Sequence, residues 1–325
     1  MKEPKVSIII PAYNEATCIA ATIRSLQAQT YSITTILVVD DCSTDDTAQI
    51  AEVCGAVVLR LVHNGGKAAA HNVGIAHVQT EAVLTVDADT CLAPDAVARL
   101  VEGLGDATVG VACASVLPSS LSTLWERGRF LEYLLGQSIY KHGQQRLRSV
   151  LVAAGCCSLY RTDAIRAVGG FRSLTMTEDM DMAWLLATEG LTTAYVAQAH
   201  CTAMEPTTLS MYLRQLDRWY RGMFQTIRLH RFRAVWRLKM LTYWYVTDAL
   251  LTPLWLFLVL WWRTEAPVES LALALIADLG ISGFVATCMK PTHVKDILRC
   301  LPAYLVVRQL NLYAYCRAFF RECIQ

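Results

Sequence analysis

Twelve cysteines are spread through the 325 residues, yet no two stand as a Cys-x-x-Cys pair. That absence removes zinc-ribbon and thioredoxin-type redox readings. Scattered as they are, several inside apolar runs and Cys156–Cys157 as neighbours, they read as reduced thiols acting as small hydrophobes. Charge is also scarce. Only 18% of residues are charged against 54% hydrophobic, and the net charge of +1 offers no bulk field to draw a nucleic acid. The segment Met1–Lys5 carries no apolar signal region before the first strand, so the N-terminal part is expected to stay in the cytosol.

The apolar excess lies in the last third. Leu241–Trp262 and Val268–Met289 each approach the roughly 20 residues needed to cross a bilayer, and the short link between them suits a helical hairpin. A third stretch, Ile297–Phe320, holds Arg299, Arg308 and Arg317, with Arg321 just beyond. It is expected to lie in the interface, with a third span as the alternative. Arg228, His230, Arg231, Arg233, Arg237 and Lys239 crowd the residues before the first run, the pattern of a cytoplasmic juxtamembrane segment. Asp248 and Asp278 fall inside the apolar runs, where an acid needs a partner or a wet cavity. The expected division is a cytosolic domain over 1–230 and a membrane region over 231–325.

Before that region, strand and helix alternate. Short β-branched runs at Val6–Ile10, Ile36–Val39, Ala56–Leu61 and Ala82–Val86 are separated by helical stretches, including one opened by Gly65-Gly66-Lys67. This predicts an α/β fold with a mainly parallel sheet covered on both faces. Thr123–Ser149 reads as a connecting helix bearing Trp125, Arg127, Arg129 and Tyr133. Val150–Ala154 and Thr192–Val196 read as further strands. Ligands of such sheets bind beyond the carboxyl ends of the strands. Tyr13-Asn14, Asp40-Asp41 and Asp87-Ala88-Asp89 all fall there.

The chemistry-bearing residues follow from those places. Two carboxylates one residue apart at a strand end, Asp87 and Asp89, can hold a divalent cation against a diphosphate. Lys67 at a helix start can meet a phosphate, or stand as an ordinary exposed lysine. Glu178-Asp179 at another helix start offers a base, or a pair of helix-capping acids. Glu205–Gly222 reads as one helix capped by Thr207 or Thr208. Gln215, Arg218, Trp219 and Gly222 share one of its faces, where a core helix would show Leu and Val. A guanidinium suits a diphosphate, and an indole suits the flat face of a sugar.

Six segments in order carry a resemblance: Val6–Glu15, Val38–Asp45, Gly66–Ala68, Val86–Asp89, Thr177–Asp179 and Gln215–Trp219. Over residues 6–222 the chain resembles the inverting family-two glycosyltransferases of GT-A fold. Within them it is similar to membrane-embedded cellulose, chitin, hyaluronan and poly-N-acetylglucosamine synthases. The resemblance implies a UDP-sugar donor bound by Ala12, Tyr13, Glu15, Asp41 and Lys67, with Asp41 on the uracil. It implies Asp89 and Asp87 on Mg or Mn, with Asp87 also touching nucleotide. Asp179, beside Glu178, becomes the general base. Gln215, Arg218 and Trp219 close over the diphosphate and the acceptor sugar, and Gly155-Cys156 takes the place of the acceptor-side loop. The expected acceptor is a polysaccharide or a lipid-linked sugar. The large synthases carry more membrane helices, so one copy of this chain is not expected to enclose a polymer channel. A homo-oligomer or an export subunit would supply one. The alternatives are a single-sugar lipid glycosyltransferase and a non-catalytic membrane subunit.

Overall fold

The computed structural model describes residues 3–231, 235–243 and 267–324. Eight strands form one sheet in the order β3-β2-β1-β4-β7-β6-β8-β5. β1 (Val6–Ala12) lies inside the sheet with β2 (Ile33–Asp40) and β4 (Ala82–Val86) parallel on either side, and β3 (Val57–Arg60) extends the parallel set. Ile8, Ile9 and Ile10 of β1 are all fully buried. A strand covered on both faces has no polar side to show, so its sequence is a continuous apolar run. Helices α1 (Ile19–Gln27), α2 (Thr47–Val53) and α3 (Lys67–His77) make the crossovers between these strands.

The other half of the sheet departs from the parallel expectation. β7 (Cys157–Arg161) enters antiparallel between β4 and β6 (Val109–Pro118). β8 (Thr192–Ala203) runs parallel to β6, and β5 (Thr90–Leu92) closes the edge antiparallel to β8. The sheet is therefore mixed. Val150–Ala154 is not a strand: it runs outside the ladder, and the strand begins at Cys157. The apolar run was read correctly, but its burial comes from packing under Trp184 of α8 (Glu178–Thr188), whose indole N–H donates to Leu151 O at 3.1 Å. Helices α4 (Ala96–Gly103) and α7 (Thr162–Ala167) complete this half.

Thr123 caps α5 (Leu124–Leu135) through a reciprocal pair with Glu126, a capping box. The helical stretch does not run unbroken to Ser149. A wider turn at Gly136–Lys141 leads into α6 (His142–Arg146), where helix ends. Thr208 caps α9 (Leu209–His230), its hydroxyl accepting the Met211 N–H at 3.3 Å.

Beyond α9, α10 (Pro267–Met289) and α11 (Val294–Phe319) are helices. Among the described residues no helix is long and apolar enough to cross a membrane. The expected span at 268–289, and the alternative of a third span at 297–320, are thus not supported. The 241–262 stretch, Arg233 and Asp248 fall mostly or wholly outside the described residues. α11 has a protein-facing side instead: Ile297, Cys300, Val307, Ala314 and Tyr315 are buried against α5 and α9, and the Ala286 end of α10 joins the same packing. Gly128 permits the approach of α11 to α5, since a Cβ there would overlap Val307 Cγ2. His230 leaves the expected basic surface cluster altogether. It is buried, with Nε2 at 2.6 Å from Asp181 Oδ1 on α8.

Candidate active site

The loops after β1 and β2 are knitted together. Asn14, held at φ 59°, accepts with Oδ1 from the Thr44 N–H at 2.8 Å. The Ser43 hydroxyl accepts the Asn14 N–H at 2.9 Å, and the Thr47 hydroxyl accepts the Glu15 N–H at 2.7 Å. Asp45 braces the same join, accepting from the N–H groups of Ala16 and Thr47. Tyr13 stands 49% exposed at the rim, with Ala12 buried behind it. Asp41 faces inward. Its two carboxylate oxygens accept from the N–H of Gly65 at 2.7 Å and of Gly66 at 2.8 Å. Gly66 sits at φ 82°, a left-handed value that favours glycine. Asp41 thereby fixes the turn from which Lys67 starts α3.

Lys67 is the meeting point of the site. Its Nζ lies 2.5 Å from Asp87 Oδ1 and 3.5 Å from Glu178 Oε1, joining α3, the β4 loop and the start of α8. Burial alone would push the ammonium down; the carboxylates of Asp87 and Glu178 outweigh it and raise it.

The loop after β4 is held from both sides. The Thr22 hydroxyl donates to Ala88 O at 2.7 Å, and the Asp87 N–H donates to Cys156 O at 3.1 Å. Burial, then the charges of Asp87 and Glu15, push the Asp89 carboxyl up to about 6. A half-buried acid facing two others is a place where a divalent cation relieves repulsion. Asp87 and Asp89 are the residues that would hold such a cation. Among the described residues no group of three or more His, Cys, Asp or Glu side chains is arranged to hold a metal ion by itself.

Glu178 and Asp179 open α8, where the helix dipole favours negative charge. Burial, then the charge of Glu178, nevertheless lifts Asp179 to about 6, with Lys67 acting in the opposite direction. The backbone of the Gly155-Cys156 loop presses on this carboxyl: a Cβ on Gly155 would lie 2.8 Å from Asp179 Oδ2. α9 passes across the same point. A Cβ on Gly222 would meet Thr177 Cγ2 at 2.6 Å and Thr177 N at 2.9 Å, so the absence of a side chain there is what lets α9 touch the α8 start.

Lys67, Asp87, Asp89, Glu178 and Asp179 are thus brought together. Gln215 and Trp219 are half-buried one layer out, and Arg218 is exposed. What holds Gln215 and Trp219 was missed from the sequence. Arg129 of α5 is fully buried; its Nη2 donates to Gln215 Oε1 at 2.8 Å and its guanidinium lies 4.6 Å from the Trp219 ring centre. Glu205, also missed, lies 3.4 Å from Arg129 Nε. Burial raises Glu205 to about 7, although Arg129 and a hydrogen bond with Tyr133 oppose the rise. The available signal was the spacing Trp125, Arg129, Tyr133, one face of a helix carrying two aromatic rings and an arginine.

A mixed α/β sheet with an acid-rich cluster past β4 and a cationic and aromatic helix laid across it is the arrangement of a GT-A glycosyltransferase. The chain matches the family model described as glycosyl transferase family 2 over residues 7–169, and it belongs to that family. An N-acetylglucosaminyltransferase of Mesorhizobium japonicum is 32% identical over 239 residues, covering 68% of this chain and 56% of the relative. A poly-beta-1,6-N-acetyl-D-glucosamine synthase of Staphylococcus aureus is 26% identical over 260 residues, 78% of this chain and 63% of the relative. This chain therefore spans less than two thirds of the length of these relatives. In fold it is similar to a mannosyltransferase of Pyrobaculum calidifontis in complex with GDP-Man and Mn2+, with TM-score 0.68, 20% identity, and coverage of 99% of this chain and 89% of that one. S. aureus TarS matches with TM-score 0.51 and 18% identity, over 97% of this chain and 54% of TarS.

Proposed function

We propose that the chain transfers N-acetylglucosamine from a UDP-sugar, with inversion and with a divalent metal, to a sugar chain or lipid-linked sugar at the cytoplasmic face of a membrane. The observation that carries this is the convergence of Asp87, Asp89 and Asp179 around Lys67. The names of the two relatives support the choice of sugar. The apolar run Leu241–Trp262 in the sequence supports the membrane face, and the Arg and Lys residues before it support the cytoplasmic side.

Asp87 and Asp89 would hold Mg or Mn, which when bound supplies positive charge for the diphosphate. Asp41 and the Ala12–Glu15 loop would orient the nucleoside, and Lys67 would turn from Asp87 toward a donor phosphate. Asp179 accepts the proton of the acceptor hydroxyl as its oxygen bonds to the anomeric carbon. The bond from that carbon to the phosphate oxygen breaks, and UDP leaves with the electron pair. A base at about 6 is ionised at neutral pH yet basic enough to matter.

The test is transfer from a panel of labelled UDP- and GDP-sugars by the membrane-extracted protein, with Mg or Mn, products sized on a gel. Asp179→Asn is expected to keep UDP binding and lose on the order of 100-fold or more in transfer. The wild-type rate is expected to rise with pH through about 6 as Asp179 deprotonates. Undiminished turnover by the Asn variant overturns the base assignment, and turnover with a GDP-sugar alone overturns the donor.

A further inference from the structure

Arg129 has no solvent exposure, and its charged, hydrogen-bonding and aromatic partners lie on α5, on α9 and at Glu205 just before α9. Its Cζ is 4.6 Å from the ring centres of both Trp219 and Tyr212 on α9, and 5.6 Å from that of Tyr133 on its own helix. Trp125, one turn before it, stacks on Tyr212 at 5.5 Å, so that ring is gripped from two sides. Nη1 donates to Glu132 Oε2 at 2.8 Å, and Nη2 donates to Gln215 Oε1 at 2.8 Å. Nε faces Glu205 Oε2 at 3.4 Å, an ion pair in which neither buried atom completes a hydrogen bond. Glu205 in turn follows Met204, whose N–H donates to the carbonyl of Asp89 at 3.3 Å. A continuous path thus runs from the backbone of the Asp87–Asp89 loop through Glu205 and Arg129 to Gln215 and Trp219.

A buried guanidinium is costly unless every face is used. A hydrophobic residue would fill the same space between three rings without that cost. What it would not do is fix the roll of α9: a planar fork sets the direction of Gln215 and the plane of Trp219 together. We propose that Arg129 is a positioning residue for the acceptor subsite, holding the Trp219 indole and the Gln215 amide at a fixed height over the Asp87–Asp89 loop. This rests on the reading of α9 as the helix that covers the acceptor sugar.

The experiment compares wild type, Arg129→Lys, the charge-neutral double variant Arg129→Met with Glu205→Gln, and Trp219→Ala. Each is measured for acceptor KM, kcat, donor KM and donor hydrolysis to free UDP. Hydrogen exchange of peptides over 205–222 and 178–188 is read alongside. The lysine variant keeps the charge and loses the fork. It is expected to raise acceptor KM about tenfold while leaving donor KM and UDP release unchanged, matching the direction seen for Trp219→Ala. Exchange is expected to quicken over 205–222 and not over 178–188. The double variant removes the buried charges as a pair, and it is expected to melt within a few degrees of wild type while showing the same acceptor defect. An unaltered acceptor KM in both folded variants, beside a raised one in Trp219→Ala, overturns the inference while leaving the function standing. No transfer by wild type overturns the functional reading; in that case unaltered exchange over 205–222 in the lysine variant overturns the inference as well.

Discussion

Lys67 Nζ stands 2.5 Å from Asp87 Oδ1 and 3.5 Å from Glu178 Oε1, with Asp179 next in sequence. Four acids, counting Asp89, share this one nearby ammonium. At an effective dielectric near 20, two unit charges 4 Å apart interact by about 4 kcal/mol, so moving one cation changes the basicity of every neighbour. The ammonium opposes the rise of Asp179. Removing it therefore raises the base further. Lys67→Met is expected to shift the acid limb of the pH–rate profile upward, so that activity is recovered only in more alkaline buffer. A limb that stays in place, or moves to lower pH, would show that Lys67 and Asp179 are not electrostatically linked. Sequence alone left Lys67 as either a phosphate ligand or an exposed lysine. In the structure it is 29% exposed and pairs with Asp87. That pairing spans 20 residues and depends on how α3 and β4 pack, which no local pattern encodes.

At the scale of elements, α9 is where three layers meet. One end of its inner face rests on α8 through Gly222 and Thr177, and its other side is braced by α11. The Tyr212 hydroxyl donates to Asn311 Oδ1 at 2.8 Å, and Arg221 Nε donates to Glu322 Oε1 at 2.7 Å. Phe224 and Tyr315 pack at 5.2 Å between ring centres. Gly222→Ala places a methyl group against Thr177 backbone N as well as its side chain, and the backbone cannot rotate away. The variant is expected to lose about 1–3 kcal/mol of stability, the usual cost of overpacking, measured by denaturant unfolding. Transfer is expected to fall more than stability predicts, because Asp179 is two residues from the clash. Wild-type stability and rate in this variant would refute the close approach. That a helix lies here, capped by Thr207 or Thr208, was legible in the sequence, though it starts at Leu209 and not Glu205 and runs past Gly222 to His230; β1, β2 and β4 were legible too, because a buried apolar run and a capping residue are local signals. The reversal at β7 was not. Val150–Ala154 is as apolar as Cys157–Arg161, and only the pairing of Thr85 with Ser158 and its neighbours decides which segment enters the sheet. The role of α11 was hidden for a similar reason: Ile297, Cys300 and Val307 look the same whether they face lipid or the flank of α5.

For the whole molecule, the buried acids of the site carry a cost in stability. Asp89 and Asp179 rise to about 6 from an ordinary 3.8, and Glu205 to about 7 from 4.5. Each of these groups binds a proton more tightly in the folded protein than in the unfolded chain. Between about pH 4 and 7 the folded state therefore holds more protons, and stability falls as pH rises through that window. Asp181 works the other way. The hydrogen bonds and charges of His230 and Arg172 outweigh its burial and hold it below its usual value, so its contribution is lost only when pH falls below the ordinary carboxylate range. The metal-free protein is thus expected to be more stable at pH 5 than at pH 7.5, melting several degrees lower at the higher pH. At the proposed metal site Mg or Mn would bind the ionised form of Asp89 and not the protonated one, so its stabilising effect is expected to be large at pH 7.5 and small at pH 5. Melting curves at both pH values, with and without each cation, read this directly. In Asp89→Asn the cation's effect at pH 7.5 is expected to vanish and the metal-free melting temperature there to rise. An Asn variant that melts lower and still responds to the cation would remove Asp89 from the metal site and place the cost of the fold elsewhere.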